Sequence, residues 1–325
     1  MIKVGIIGGA GYTAGELIRL LVNHSEVRLD FIYSTTRAGD PVSQVHQDLL
    51  GSTDLVFTDT VNPSVAVVFL CLGHGNSSQF LASNTFSDHT RIIDLSNDFR
   101  LQKGSVFQGR FFVYGLPELH KKNIKKAQNI ANPGCFATAI QLALLPLAKA
   151  GLLNDSIHIN ATTGATGAGV SPGPTTHFSW RDNNFSVYKA FTHQHLAEIS
   201  EGLQHLQKGF SQELCFIPNR GNFSRGIFAS VYLTCNESLE EAFHLYESYY
   251  QEAPFTHLSR NPIHLKQVVN TNNCVIHLSK YQDRLLITTA IDNLLKGASG
   301  QAIENMNIAF GFDQNQGLQL KSTSF

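Results

Sequence analysis

The feature that most constrains the fold lies at the start of the chain. Lys3 to Ile7 is a short apolar run, four glycines fall among the next eight positions, Gly8 to Gly15, and Glu16 to Val22 has the composition of a helix. A buried strand that passes through a glycine-rich turn into a helix is the opening unit of a doubly wound α/β domain that binds a dinucleotide. In such a unit Gly8 and Gly11 let the backbone approach a pyrophosphate, and Gly15 lets the helix pack on the sheet. The helix start, at Tyr12 and Thr13, faces the phosphates. The spacing departs from strict G-x-G-x-x-G, so the order strand, turn, helix carries more of the inference than the glycines do.

The second strand, Val27 to Tyr33, sets the expected cofactor. NAD enzymes place an acid after it for the ribose 2′-hydroxyl. Here the chain continues Ser34, Thr35, Thr36, Arg37. Hydroxyls and a guanidinium suit a 2′-phosphate, so NADP (NADPH) is expected, with Ser34 and Arg37 as contacts. Arg37 taken alone also fits a solvated loop charge. Val65 to Leu72 is a continuous apolar run ending at Gly73, as a central parallel strand would be, and it delivers a loop to the ligand-binding edge of the sheet. Arg91 to Arg100 repeats the arrangement, a short strand followed by a polar loop. Arg100 suits bidentate binding of an acyl phosphate or carboxylate, or a structural ion pair with Asp98 or a neighbouring acid.

One cysteine stands apart from the other four. Asn132, Pro133 and Gly134 are turn residues and Phe136 to Leu147 is an apolar run of helix formers, so Cys135 falls at a first helical turn. Orphan N–H groups and the helix dipole favour a thiolate there. The stretch by itself equally fits a small buried residue at a helix start. Five cysteines, odd in number and without C-x-x-C spacing, argue against a disulfide framework or structural zinc. His193 and His195 form an H-x-H pair without a third ligand at usable spacing, so no metal is expected.

From Ser156 onward strands of alternating or aromatic character, long loops and amphipathic helices predict a mainly antiparallel sheet. A net charge of -1 and a pI near 6.9 give no reason to expect nucleic acid or an anionic membrane as partner. The N-terminus lacks a signal-peptide pattern and no stretch is long enough to span a bilayer, so a cytoplasmic location is expected. The paired lysines at 121–122 and 125–126 read as a solvated helix face, and the residues after Phe310 as a tail.

Seven separated segments, in order, carry a resemblance. Asn132 to Thr138 looks like the active-site segment of the N-acetyl-γ-glutamyl-phosphate reductases, relatives of aspartate-semialdehyde dehydrogenase. Asp94 to Arg100 is similar to the family's D-L-S-x-D-F-R, and Tyr114 to Leu119 also matches. Thr163 to Gly169 resembles S-G-x-S-G-A-G, a loop whose N–H and hydroxyl donors suit a phosphate leaving group. His193 to Ile199 resembles H-R-H-x-P-E-I, with Gln194 for arginine and Ala197 for proline. Phe216 to Gly226 resembles F-x-P-H-x-x-P-x-x-R-G, with Asn219 for histidine. Asn293 to Asn307 follows N-L-x-K-G-A-S-G-Q-A-x-x-N-M-N.

The resemblance implies a Rossmann-type domain over 1–134 plus 296–325 and an α+β catalytic and oligomerisation domain over 135–295, assembled as a homodimer or homotetramer. It implies NADPH-dependent reduction of N-acetyl-γ-glutamyl phosphate to the semialdehyde, with Cys135 as nucleophile and His193 as acid and base. Arg225 is the expected carboxylate ligand, with Arg220 the runner-up, while Asn132 and His195 join Arg100 at the substrate. Gly73, Asn293 and Gly297 are expected near the cofactor. Two alternatives remain at this stage: a reductase of N-succinyl-glutamyl or aspartyl phosphate, and a non-catalytic NADP-binding redox sensor.

Overall fold

A computed structural model describes residues 1–323, and the chain divides into two compact units, Met1–Pro133 with Ala298–Gln319, and Gly134–Gly297 with the residues from Leu320. Among the described residues no helix is long and apolar enough to cross a membrane.

The first unit is built on eight strands: β1 (Ile2–Ile7), β2 (Val27–Tyr33), β3 (Phe57–Thr58), β4 (Val67–Leu70), β5 (Arg91–Asp94), β6 (Val106–Phe107), β7 (Arg110–Tyr114) and β8 (Asn129–Ala131). Their order is β3-β2-β1-β4-β5-β8-β7-β6, parallel throughout except for the β6 hairpin edge. Val4, Ile6, Ile7 and all four residues of β4 are buried, because helices on both faces leave a central parallel strand no solvent side. The strand order reverses at β1 and β4, and the loops after these two strands lie side by side at the carboxyl edge where doubly wound folds bind ligands.

The Ser299–Phe310 helix returns to this unit, where Asn305 donates to the Gly115 carbonyl and Ser299 to that of Thr13. The segment after it is not a free tail. Gly311 takes a left-handed turn, Asn307 Nδ2 donates to the carbonyls of Gln314 and Gln316, and Leu318 is buried. Phe312, Leu318 and Leu320, scattered without helical or strand spacing in a polar stretch, are too little pattern to predict that docking.

The second unit holds seven strands: β9 (Ile157–Thr163), β10 (Ser186–Val187), β11 (Leu214–Arg220), β12 (Ile227–Thr234), β13 (Thr256–Ser259), β14 (Cys274–Tyr281) and β15 (Arg284–Ile291). The order is β10-β11-β9-β12-β15-β14-β13. Four of its six pairings are antiparallel, but β9 with β11 and β13 with β14 are parallel. Parallel partners need a long crossover, and the chain between Thr163 and Leu214, which includes the His195–Leu206 helix, supplies it.

The Cys135–Lys149 helix packs against this sheet and is buried all round from Phe136 to Ala148. Such a helix must satisfy its backbone internally, yet it contains Pro146, which has no N–H to offer the carbonyl of Leu142. Tyr250, from the Leu239–Tyr250 helix, donates its hydroxyl to that carbonyl at 2.6 Å, and Tyr246 donates to the next one, on Ala143. The proline is therefore accommodated without an unpaired carbonyl at Leu142.

Candidate active site

In the first unit the β1 turn forms a cradle. Gly8 has φ +81°, and a side chain there would also press its Cβ to 2.6 Å from the Cys71 carbonyl oxygen. At Gly11, by contrast, a Cβ would meet only the Gly8 carbonyl oxygen, at 3.9 Å, and the Tyr12–Leu21 helix begins on this glycine without a side-chain cap. Its first-turn amides are the orphan donors that bind phosphate at such helix starts. This fits a dinucleotide.

Gly15 serves a different purpose from the one the spacing suggests. A Cβ there would meet the His46 ring, and His46 Nε2 lies 2.7 Å from the Gly9 carbonyl, so the glycine admits a histidine that braces the turn. After β2, Ser34 is buried and Arg37 is exposed, 3.7 Å from Asp40. An exposed pair of that length restrains the guanidinium little. Gly73 lies in the loop after β4, and the following helix, Asn76–Ser83, is held by Asp98, which accepts from the Gly75 and Ser78 amides. Asp98 is thus occupied with backbone. Arg100 is buried and donates from Nε to the Asn132 carbonyl at 2.8 Å and from Nη2 to that of Leu95 at 2.9 Å.

Asn132 is buried as well, its amide bridging the Ala298 carbonyl and Asn305 Nδ2. Both residues therefore shape the backbone that leads to the cysteine. Two residues on, Gly134 donates its N–H to Glu198 Oε2 at 3.0 Å, and a Cβ on it would overlap the His195 ring. The helix then starts at Cys135 with no side-chain cap, as the turn residues predict. Gly297 comes so close to this residue that a Cβ on it would lie 2.8 Å from Cys135 Cβ. Asn293 spends its amide on the Gly226 N–H and the Thr166 hydroxyl, which ties the 163–169 loop to the end of β15.

His193 lies in an aromatic cage. Tyr188, Phe136, His195 and Phe216 meet it edge to face, with ring centroids 4.6–5.9 Å away. Burial, reinforced by the charge of Lys189, pushes its pKa down to about 4, and Glu198 opposes that only in part. The ring is neutral at pH 7. Its Nδ1 accepts the His195 amide at 3.2 Å, so the proton resides on Nε2. His195 stands 3.9 Å from Glu198 Oε1 in the first turn of its helix, so one buried carboxylate supports both the Gly134 amide and a histidine ring.

Between pH 6.5 and about 4 the unfolded chain protonates this histidine while the folded chain does not, so folding loses stability as pH falls through that window. Replacing His193 by Asn should remove this component. The expected result is a shallower decline of Tm from pH 6.5 to 4 than in the parent; equal slopes would contradict the neutral assignment.

The two candidate arginines differ. Arg225 donates to Asp292 at 3.0 Å, and that carboxylate is fully buried. Arg220 instead lies 4.7 Å over the Tyr188 ring and acts electrostatically on His193. Tyr188 is pushed up to about 12 by burial and, secondarily, by the charge of Cys135. Tyr188 and Glu198 were not singled out by sequence reasoning. Glu198 offered a faint signal, one helical turn after His195, where the two side chains must share a face.

Residues 3–127 match the family model described as semialdehyde dehydrogenase, NAD binding domain, and residues 135–293 match the dimerisation domain of the same group. Solved structures with this fold include aspartate semialdehyde dehydrogenase II from Vibrio cholerae, complexed with ASA, at TM-score 0.74 and 15% identity over 96% of this chain and 98% of that one. The Candida albicans aspartate semialdehyde dehydrogenase with NADP aligns at TM-score 0.67 and 12% identity, over 95% and 98% of the two chains. The class is thus the semialdehyde dehydrogenases, with a nicotinamide-binding domain.

Sequence relatives narrow it. A curated N-acetyl-γ-glutamyl-phosphate reductase from Flavobacterium johnsoniae is 61% identical, and one from Christiangramia forsetii 58%, each over the full length of both chains. The chain belongs to the N-acetyl-γ-glutamyl-phosphate reductase family.

Proposed function

We propose that the protein reduces N-acetyl-γ-glutamyl phosphate to N-acetylglutamate 5-semialdehyde with release of phosphate, as a step of arginine biosynthesis, and that NADPH is the reductant. The observation that carries this reading is the placement of Cys135 at an uncapped helix start, between the anchored Gly134 and the backbone of Gly297, with a neutral, caged His193 in the same unit.

Cys135 Sγ, as thiolate, attacks the acyl carbonyl carbon, the bond to the phosphate oxygen breaks, and inorganic phosphate leaves. Orphan amides at the helix start stabilise the thiolate. The 163–169 loop, expected from its composition to hold the departing phosphate, instead bonds the amides of Gly164, Ala165, Thr166, Gly167 and Gly169 to backbone carbonyls and the Thr166 hydroxyl to that of Ser224, so it offers few open donors. The product is a thioester on Cys135, which is more readily reduced than a carboxylate. NADPH, when bound, supplies the hydride for that reduction. The Nε2–H of neutral His193 hydrogen-bonds to the alkoxide oxygen of the tetrahedral adduct and keeps its proton, and collapse of that alkoxide breaks the C–S bond, releasing the aldehyde and returning the electron pair to sulfur as the thiolate. The tautomer in the cage favours this donor role over proton abstraction from the thiol.

Gly8, Gly11, Tyr12, Thr13 and Gly15 belong to the turn that would hold the cofactor, and Ser34 and Arg37, with no acid directly after β2, support NADP over NAD. The match to a dimerisation domain supports a homo-oligomer, either dimer or tetramer. Tyr232, half exposed and stacked on His158 on the face away from the Cys135 helix, is a candidate contact.

Covalent trapping tests the chemistry. Incubated with the acyl phosphate and no cofactor, the protein should release one equivalent of phosphate and carry an N-acetylglutamyl group on Cys135 in peptide mass spectra. Phosphate release without that adduct would refute the thioester route.

A further inference from the structure

Arg220 closes β11, where its backbone pairs with Thr163 of β9 and Ser186 of β10, and its carbonyl accepts from the buried Arg181 at 2.7 Å. The residue is thereby fixed at the root. Its guanidinium lies over the Tyr188 ring and also interacts with the Tyr188 hydroxyl, contacts that set the plane of the fork. Nε is buried and has no hydrogen-bond partner among the described residues, and there Arg220 forms no ion pair. Arg225, five positions on, is in contrast neutralised by the fully buried Asp292. A buried guanidinium donor left open costs free energy unless a ligand completes it.

The location is informative. Tyr188, under the guanidinium, meets the His193 ring edge to face at 5.9 Å, and His193 in turn meets the ring of Phe136, the residue after Cys135, at 5.5 Å. The open donor thus belongs to the surroundings of the nucleophile. We infer that Arg220, held flat on Tyr188, is the residue that grips the carboxylate of the substrate and so sets how the acyl group is presented to Cys135. This rests on the reductase reading above, and it reverses the expectation that Arg225 does so. A carboxylate meets such a fork with two parallel hydrogen bonds, which fixes orientation as well as affinity. Lysine, a point charge, would keep attraction and lose orientation.

Two measurements on Arg220→Gln and Arg220→Lys test the assignment. In the phosphate-dependent oxidation of the semialdehyde, Arg220→Gln should raise the KM for the semialdehyde about 10–100-fold, as expected for loss of a charge-assisted hydrogen bond, with the KM for phosphate unchanged. Arg220→Lys should fall between. A rise in the KM for phosphate alone, an equal rise in both, or no change in either would overturn the proposal.

The second measurement needs no turnover. Alkylation of Cys135, followed by peptide mass spectrometry, is compared for iodoacetate and neutral iodoacetamide. Any change in thiolate fraction acts on both reagents, so their rate ratio reports the cation beside the thiol. The ratio should fall several-fold in Arg220→Gln and be largely kept in Arg220→Lys; an unchanged ratio in Arg220→Gln would overturn the proposal. Inactivity of the parent protein would refute the reductase reading, while the alkylation ratio would still decide for or against Arg220.

Discussion

Cys135→Ala should lose at least about a thousandfold in kcat while keeping its fold, because removal of a covalent nucleophile eliminates the route and leaves only binding and positioning. The side chain is partly exposed, and alanine is a good helix former at a first-turn position, so Tm should scarcely move. The other thiols offer no substitute. Cys235 and Cys274 are buried, desolvation pushes the partly buried Cys71 thiol up to about 12, and Cys215 is raised by desolvation and by the charge of Glu213. Steady-state assays with a thermal melt as control decide the point. An inactive variant with a much lowered Tm would indicate a structural role for the thiol, and a variant with more than a few per cent of the parent rate would remove Cys135 from the chemistry.

Gly134→Ala should lower kcat by on the order of a hundredfold, although it removes no functional group. Gly134 has φ -72°, which any residue adopts, so the constraint is space: a Cβ would occupy the His195 ring. Overpacking of this kind costs about 1–3 kcal/mol, which in a buried site displaces either His195 or the turn. Displacement of either loosens the Gly134 amide from Glu198 and moves Cys135, and misplacement of a reacting atom by about 1 Å costs on the order of a hundredfold. The expected signature is a fall in kcat with little change in the KM for cofactor, since the cradle at Gly8 and Gly11 belongs to the other unit. Normal kcat in this variant would show that the His195–Gly134–Glu198 arrangement is not needed for catalysis.

Much of this arrangement is written locally. Gly8 to Gly15 between a strand and a helix, the apolar run before Gly73, and the turn before Cys135 each specify an element and its end within a dozen residues, and all three lie where the sequence puts them. What local pattern misses is what comes together across the chain. Glu198 meets Gly134 over 64 positions, and nothing near either residue announces the other. Arg100 and Asn132 look like ligands because their side chains are polar and their neighbours are loops, yet both are buried and bonded to backbone. Arg225 and Arg220 cannot be ranked by sequence, because the difference between them is Asp292, more than sixty residues away. The parallel pairing of β9 with β11 was hidden for a similar reason, since the crossover between them reads as loops and a helix without stating which strands it joins.

The proposed activity is interconversion of an acyl phosphate and an aldehyde at Cys135 with NADP. The most direct measurement is the reverse reaction of the purified protein: formation of NADPH from N-acetylglutamate 5-semialdehyde, with and without inorganic phosphate, and with NAD in place of NADP. The predicted result is NADPH formation that requires phosphate and is faster than with NAD; oxidation of the semialdehyde at the same rate without phosphate, or no reduction of either cofactor, would contradict it.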